Sequence, residues 1–198
     1  DRRIGSEMKS VGEVMAIGRT FQEALQKAIR MLNIGASGIT DYPQTISNIK
    51  DELVHPTDRR LFALYQYFKN GGTVEEAHSL TKIDRWFLYP LLDLAHTDIK
   101  NEPLKVLKQK GFSDKAIAKE RGLKEEEIRS QRKMEGISPK VKQIDTLAGE
   151  FDAVTNYLYT TYNAKEHDVK PMNEGVMIIG SGPYSIGSSV EFDWCAVN

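Results

Sequence analysis

The sequence predicts a mainly α fold, a helical body with short β-strand segments at both ends. Three observations predict it. Apolar residues recur at intervals of three and four from Asp41 to about Arg132, and capping residues and turn glycines punctuate that stretch at short range. The flanks, 8–18 and 155–180, exchange this period for glycine-bounded apolar runs and a Tyr/Thr-rich segment.

The elements follow in order. MKSVGEVMAIG (8–18) sets Val11, Val14, Met15 and Ile17 among two glycines, the pattern of a strand with tight turns. Thr20-Phe21-Gln22-Glu23 has capping-box spacing, so a helix is expected next, with Phe21, Leu25, Ala28, Ile29 and Leu32 on one apolar stripe and Gly35 and Gly38 past its end. Leu61, Leu64, Tyr65 and Phe68 mark a second stripe that stops at Gly71-Gly72, and Thr73-Val74-Glu75-Glu76 opens another helix. Trp86, Phe87, Tyr89, Leu91, Leu92 and Leu94 form a densely apolar helix that Pro90 bends or divides. Thr73…Ala77…Ile83…Leu88 and Ser113…Ile117…Leu123…Ile128 match loosely at an offset of 40 residues and read as one shared helix–turn–helix unit. Beyond Pro139, TNYLYTTY (155–162) reads as a strand, AKEHDVKPMNEG (164–175) as a polar linker and VMIIG (176–180) as a buried strand.

Composition narrows the function classes. At 198 residues and 40% apolar content the chain can bury a core. Lys plus Arg (27) nearly balance Asp plus Glu (28), so no overall field recruits nucleic acid or an anionic membrane. The single cysteine, Cys195, excludes an internal disulfide framework and a Cys-based zinc site, and fits a reducing compartment. No apolar run approaches the roughly 20 residues of a membrane span. DRRIGSEMKS has no signal-peptide core, and both ends are expected to be cut from a longer chain.

Candidate chemistry is sparse. GFSDKAIAKERGLKEEEIRSQRK (111–133) has the rhythm of a DNA-binding helix pair, with Arg129, Gln131 and Arg132 as candidate base readers. Glu125, Glu126 and Glu127 crowd the start of its second helix, where phosphates repel carboxylates, which favours a plain helical pair. His55, His78, His96 and His167 lack metal-ligand spacing and are expected in structural or surface roles. Trp86 and Phe87, at helical spacing beside Leu88 and Leu91, are expected in the core rather than as a stacking platform. Gly180, Gly182 and Gly187 lie in a strand-to-helix turn whose amides can face a ligand, although a plain tight turn explains them equally. Glu13 and Glu191 sit beside glycine-rich apolar segments, where a carboxylate is paired inside, lines a polar passage, or is a surface charge.

MKSVGEVMAIGRTFQEALQKAIRML, KIDRWFL, GFSDKAIA, VKQIDTLAGEF, TNYLYTTYN and GSGPYSIGSSVEFDWC, in that order, resemble the large subunit of carbamoyl phosphate synthetases. The resemblance implies that residues 1–33 are the tail of a first ATP-grasp unit, 34–150 a helical connection (oligomerisation) domain, and 151–198 the entrance to a second half. It implies no catalytic residue, metal ligand or cofactor in this stretch, with ATP and Mg or Mn acting elsewhere in the parent. Met8, Glu13 and Glu191 match positions that the family uses to line a carbamate tunnel. Implied partners are the flanking ATP-grasp halves, a glutaminase small subunit or domain, and further copies contacting through the helical block, with neither nucleic acid nor membrane. The implied setting is cytoplasmic, or mitochondrial in some relatives.

Overall fold

The computed structural model describes residues 2–10, 12–145, 147–152, 154, 157–170 and 174–179. Helices dominate them. Thr20 opens α1 (Phe21–Met31) by accepting the Glu23 N–H at 3.2 Å. The apolar stripe brings Ile29 into the core, yet two polar residues, Glu23 and Gln26, are buried on the same helix. Gln26 Oε1 accepts the Ile39 N–H at 2.9 Å, tying α1 to a short 3₁₀ turn, Ile39–Asp41.

Five further helices follow in close succession: α2 (Ile49–Val54), α3 (Arg60–Lys69), α4 (Val74–Thr81), α5 (Arg85–His96) and α6 (Leu104–Gln109). Then come α7 (Asp114–Arg121) and α8 (Glu125–Met134). α3 packs on α2 and α5, α4 on α5, α1 on α5, and α7 on α8, around a core that includes Phe62, Phe68, Leu88, Leu94, Leu107, Phe112, Ile117 and Ile128. Pro90 lies inside α5 and does not divide it.

The match at an offset of 40 residues extends to backbone detail. Gly71 N–H donates to Phe68 O and Gly72 N–H to Tyr67 O, each at 3.0 Å; Gly111 N–H donates to Lys108 O at 3.0 Å and Phe112 N–H to Leu107 O at 3.1 Å. Thr73 and Ser113 cap the next helix through the amides of Glu76 (3.2 Å) and Ala116 (3.0 Å). Lys82 (φ 60°) and Gly122 (φ 67°) then close those helices in the left-handed region. One local grammar, helix–glycine turn–capped helix–left-handed turn–helix, is written twice.

Gly72 shows how tightly the first copy is built. A Cβ there would fall 2.1 Å from the Tyr67 ring, which is buried and held through its hydroxyl to Glu76 at 2.6 Å. Gly72→Ala is therefore expected to destabilise by about 1–3 kcal/mol through overpacking. Chemical denaturation checks this, and a change within 0.5 kcal/mol would contradict it.

The flanks depart from expectation. No strand forms among the described residues of 8–18; the sheet found pairs β1 (Lys140–Gln143) with β2 (Leu158–Thr161) and does not include this segment. The pairing is antiparallel, Lys140 opposite Thr161 and Gln143 opposite Leu158. β2 matches the strand expected in TNYLYTTY, whereas β1 has only the weak alternation of Lys140-Val141-Lys142-Gln143 to announce it. The buried strand expected at 176–180 does not appear over its described part: Val176, Met177, Ile178 and Ile179 are exposed, without a partner strand. Part of the 164–175 linker is docked instead, with Asp168 N–H donating to Val141 O at 3.0 Å and Val141 N–H to His167 Nδ1 at 3.1 Å.

Candidate functional site

The polar chemistry of the chain concentrates where both flanks meet α1. Glu23 is 1% exposed. Its Oε2 accepts the Arg19 N–H at 2.9 Å, the Thr161 hydroxyl at 2.9 Å and the Asn163 amide at 3.0 Å. Oε1 lies 3.1 Å from Lys27 Nζ in an ion pair whose hydrogen bonds point elsewhere: Nζ donates to Ile17 O at 2.7 Å and to Thr160 O at 2.6 Å. Burial pushes the Glu23 carboxyl upward, but the hydrogen bonds from Arg19, Asn163 and Thr161 and the adjacent Lys27 ammonium together hold it below the usual glutamate value.

A second cluster adjoins it. Asp114 Oδ1 accepts from Lys108 Nζ at 2.7 Å, and its Oδ2 accepts from Arg132 Nε at 3.1 Å and Nη2 at 3.0 Å. Lys108 also donates to Phe112 O at 2.8 Å and Arg132 to Ile137 O at 3.0 Å. Both cations flank the Tyr162 ring, with Nζ 5.1 Å and the guanidinium carbon 5.7 Å from its centroid. Burial lowers the Lys108 ammonium and raises the Tyr162 hydroxyl. Asn163 closes the seam by donating to Gln109 O at 2.9 Å as well as to Glu23. Protein donors occupy both oxygens of Asp114 and Oε2 of Glu23, whose Oε1 faces the Lys27 ammonium, so the arrangement is suited to holding segments together.

Other candidates fare differently. Met8 (91% exposed) and Glu13 lie on the surface of this chain, while Glu191, Gly180, Gly182 and Gly187 fall outside the described residues. Trp86 and Phe87 are not core: they are 63% and 43% exposed and meet Phe21 edge-on at 5.8 and 5.4 Å. α5 is apolar nearly all round, and Leu88, Leu91, Leu94 and Ala95 take its inner face. Of the possible base readers, Arg132 is committed to Asp114, and Gln131 donates to Glu135 at 2.9 Å. Glu125, Glu126 and Glu127 are exposed at the start of α8. The histidines take structural bonds, His78 to Ile83 O at 2.8 Å, His96 to Phe68 O at 3.3 Å and His55 to Asp51 at 2.9 Å.

Sequence reasoning places Glu23 only as a helix cap and assigns no role to Lys27, Lys108, Asp114 or Asn163. The available signal is the i,i+4 spacing of Glu23 and Lys27, together with the i,i+3 spacing that puts Glu23 and Gln26 in line with Ile29.

Comparison with known proteins places these residues in context. The family model described as the carbamoyl-phosphate synthetase large chain, oligomerisation domain, matches residues 13–136, and that of the carbamoyl phosphate synthase preATP-grasp domain matches 172–198. The chain is 48% identical to the mitochondrial carbamoyl-phosphate synthase [ammonia] of Mus musculus over 99% of its own length and 14% of the relative's. It is 51% identical to the carbamoyl phosphate synthase arginine-specific large chain of Cutaneotrichosporon cutaneum, over 100% of this chain and 18% of the relative. The multifunctional protein pyr-3 of Neurospora crassa is 49% identical over 98% of this chain and 11% of the relative. The chain thus spans under a fifth of each of these relatives, and among its described residues no helix is long and apolar enough to cross a membrane. With most of its length inside the first of these models, the chain belongs to the carbamoyl-phosphate synthetase large-chain family, as its oligomerisation region.

Proposed function

We propose that this chain is the bridge of a carbamoyl-phosphate synthase large chain, holding two ATP-grasp halves at a fixed relation while their chemistry proceeds outside it. In this reading the parent makes carbamoyl phosphate from bicarbonate, ammonia and two ATP, for arginine or pyrimidine synthesis, in the cytoplasm or, as the name of the mouse relative has it, in mitochondria. Residues 1–33 and 151–198 are the ends of the two halves and 34–150 the connection between them. The observation that carries this reading is the joint seating of both flanks on α1 through Glu23 and Lys27. ATP and Mg or Mn are proposed to act in the parent, outside this stretch. A glutaminase subunit or domain and further copies of the large chain complete the proposed partners.

Met8, Glu13 and Glu191 are proposed to line a carbamate passage between the halves. The exposure of Met8 and Glu13 on this chain leaves them available to regions beyond it. A water-poor passage with few titratable groups favours survival of an intermediate that bulk water destroys. In the full-length enzyme, Glu13→Ala or Glu191→Ala should lower overall synthesis about tenfold or more while each half's partial ATP reaction continues. Normal overall synthesis in both variants would end the passage reading. Phosphate release from ATP by the chain alone would overturn the bridge.

A further inference from the structure

Glu23 and Lys27 share an unusual symmetry. Each holds groups from both flanks: Glu23 takes the Arg19 amide from the N-terminal flank and Thr161 and Asn163 from the C-terminal one, while Lys27 holds Ile17 O and Thr160 O. They also pair with each other at 3.1 Å, and Glu23 is fully enclosed. If either flank lifts, water enters and each charge loses donors or acceptors that the other flank relied on to seal it. The two seatings are therefore not independent.

We propose that Glu23 and Lys27 form a two-residue clasp that couples the docking of segment 12–19 to the docking of segment 157–163. Loosening one flank loosens the other, although the two segments lie at opposite ends of the helical body in sequence. The coupling is a property of this chain. Its consequence for an enzyme, a bridge whose two ends engage together, rests on the function proposed above, with Glu23 and Lys27 as positioning residues.

The Arg19 amide is a direct reporter, because its hydrogen bond ends on the Glu23 carboxylate. Hydrogen exchange on the whole chain compares the parent sequence with Thr161→Val/Asn163→Ala, which alters only the C-terminal flank, and with Glu23→Gln. The double variant should speed exchange at Arg19 about fivefold or more, the lower range of typical site-to-site coupling, as well as at 157–163. Glu23→Gln should speed both flanks, whereas Thr161→Ser, which keeps the hydroxyl, should restore protection when it replaces Val. Unchanged circular dichroism and unchanged exchange over α3–α5 show that the body remains folded. Faster exchange confined to 157–163 in the double variant, with Arg19 unaffected, would overturn the clasp. In the full-length enzyme, coupled exchange with undiminished synthesis by Glu23→Gln would keep the clasp and overturn the bridge, so the two failures are distinct.

Discussion

Replacing Asp114 by Ala is expected to cost about 3–5 kcal/mol of folding stability, because it strands two buried cations that share one carboxylate. The Lys108, Asp114 and Arg132 side chains are only 7%, 11% and 11% exposed. Without Asp114, the Lys108 ammonium and the Arg132 guanidinium keep their carbonyl partners, Phe112 O and Ile137 O, and their contacts with the Tyr162 ring, but lose the counter-charge they share. Asp114→Asn should lose nearly as much, since an amide preserves shape and one acceptor but not the charge. Removing the cause should restore part of the loss: Lys108→Met in the Asp114→Ala background should be less destabilising than additivity predicts. Urea denaturation checks this, and a loss below 1 kcal/mol for Asp114→Ala would show the cluster to be effectively solvated.

The same residue sets the acid limb. Burial raises the Asp114 carboxyl, but hydrogen bonds from Lys108 and Arg132 outweigh it and hold the group below its ordinary value. Its folded value thus lies under the unfolded one, near 3.9. The stabilisation is fully present above that pH and is lost as pH falls through the folded value. Glu23 is shifted in the same direction and adds to the same limb. Asp114→Asn should therefore flatten the fall in stability below about pH 4 without abolishing it.

What could be read beforehand was what neighbours in sequence decide. Thr20, Thr73 and Ser113 cap helices as their spacing says, and Gly71-Gly72 ends a helix as expected, because caps and turns are settled within four or five residues. Glu23 was legible as a cap but not as a buried hub, since that depends on Thr161, which arrives 138 residues later. A capping-box glutamate normally ends in solvent; here Arg19 rather than Thr20 supplies the amide, and β2 covers the carboxylate. Trp86 was misplaced because a helix apolar nearly all round gives only a weak period to say which side is inside. The expected strands at 8–18 and 176–180 had suitable composition, but composition does not say which strand would pair with them, and over their described residues none does.

The two copies of the glycine turn supply their own control for the last expectation. Gly71 (φ +87°) and Gly111 (φ +86°) have the same backbone, one in which L side chains are strained. A Cβ at Gly71 would meet nothing within 4 Å, whereas at Gly111 it would lie 2.9 Å from Glu23 Cα and 3.0 Å from Gln26 Cβ. Those atoms belong to the spine of α1, which cannot turn aside as a side-chain tip can. The turn is also pinned there, since Arg30 Nη1 donates to Gly111 O at 2.8 Å. Gly71→Ala should cost about 1 kcal/mol, the conformational strain alone. Gly111→Ala should cost about 3–4 kcal/mol, because overpacking against α1 adds to that strain. Parallel denaturation of the two variants isolates the contact, and equal losses would mean that α1 is not seated on the second turn at all. A larger loss at Gly111 would instead fix the close approach of α1 to that turn as a term the fold depends on, and with it the placement of the Glu23 carboxylate on which both flanks rest.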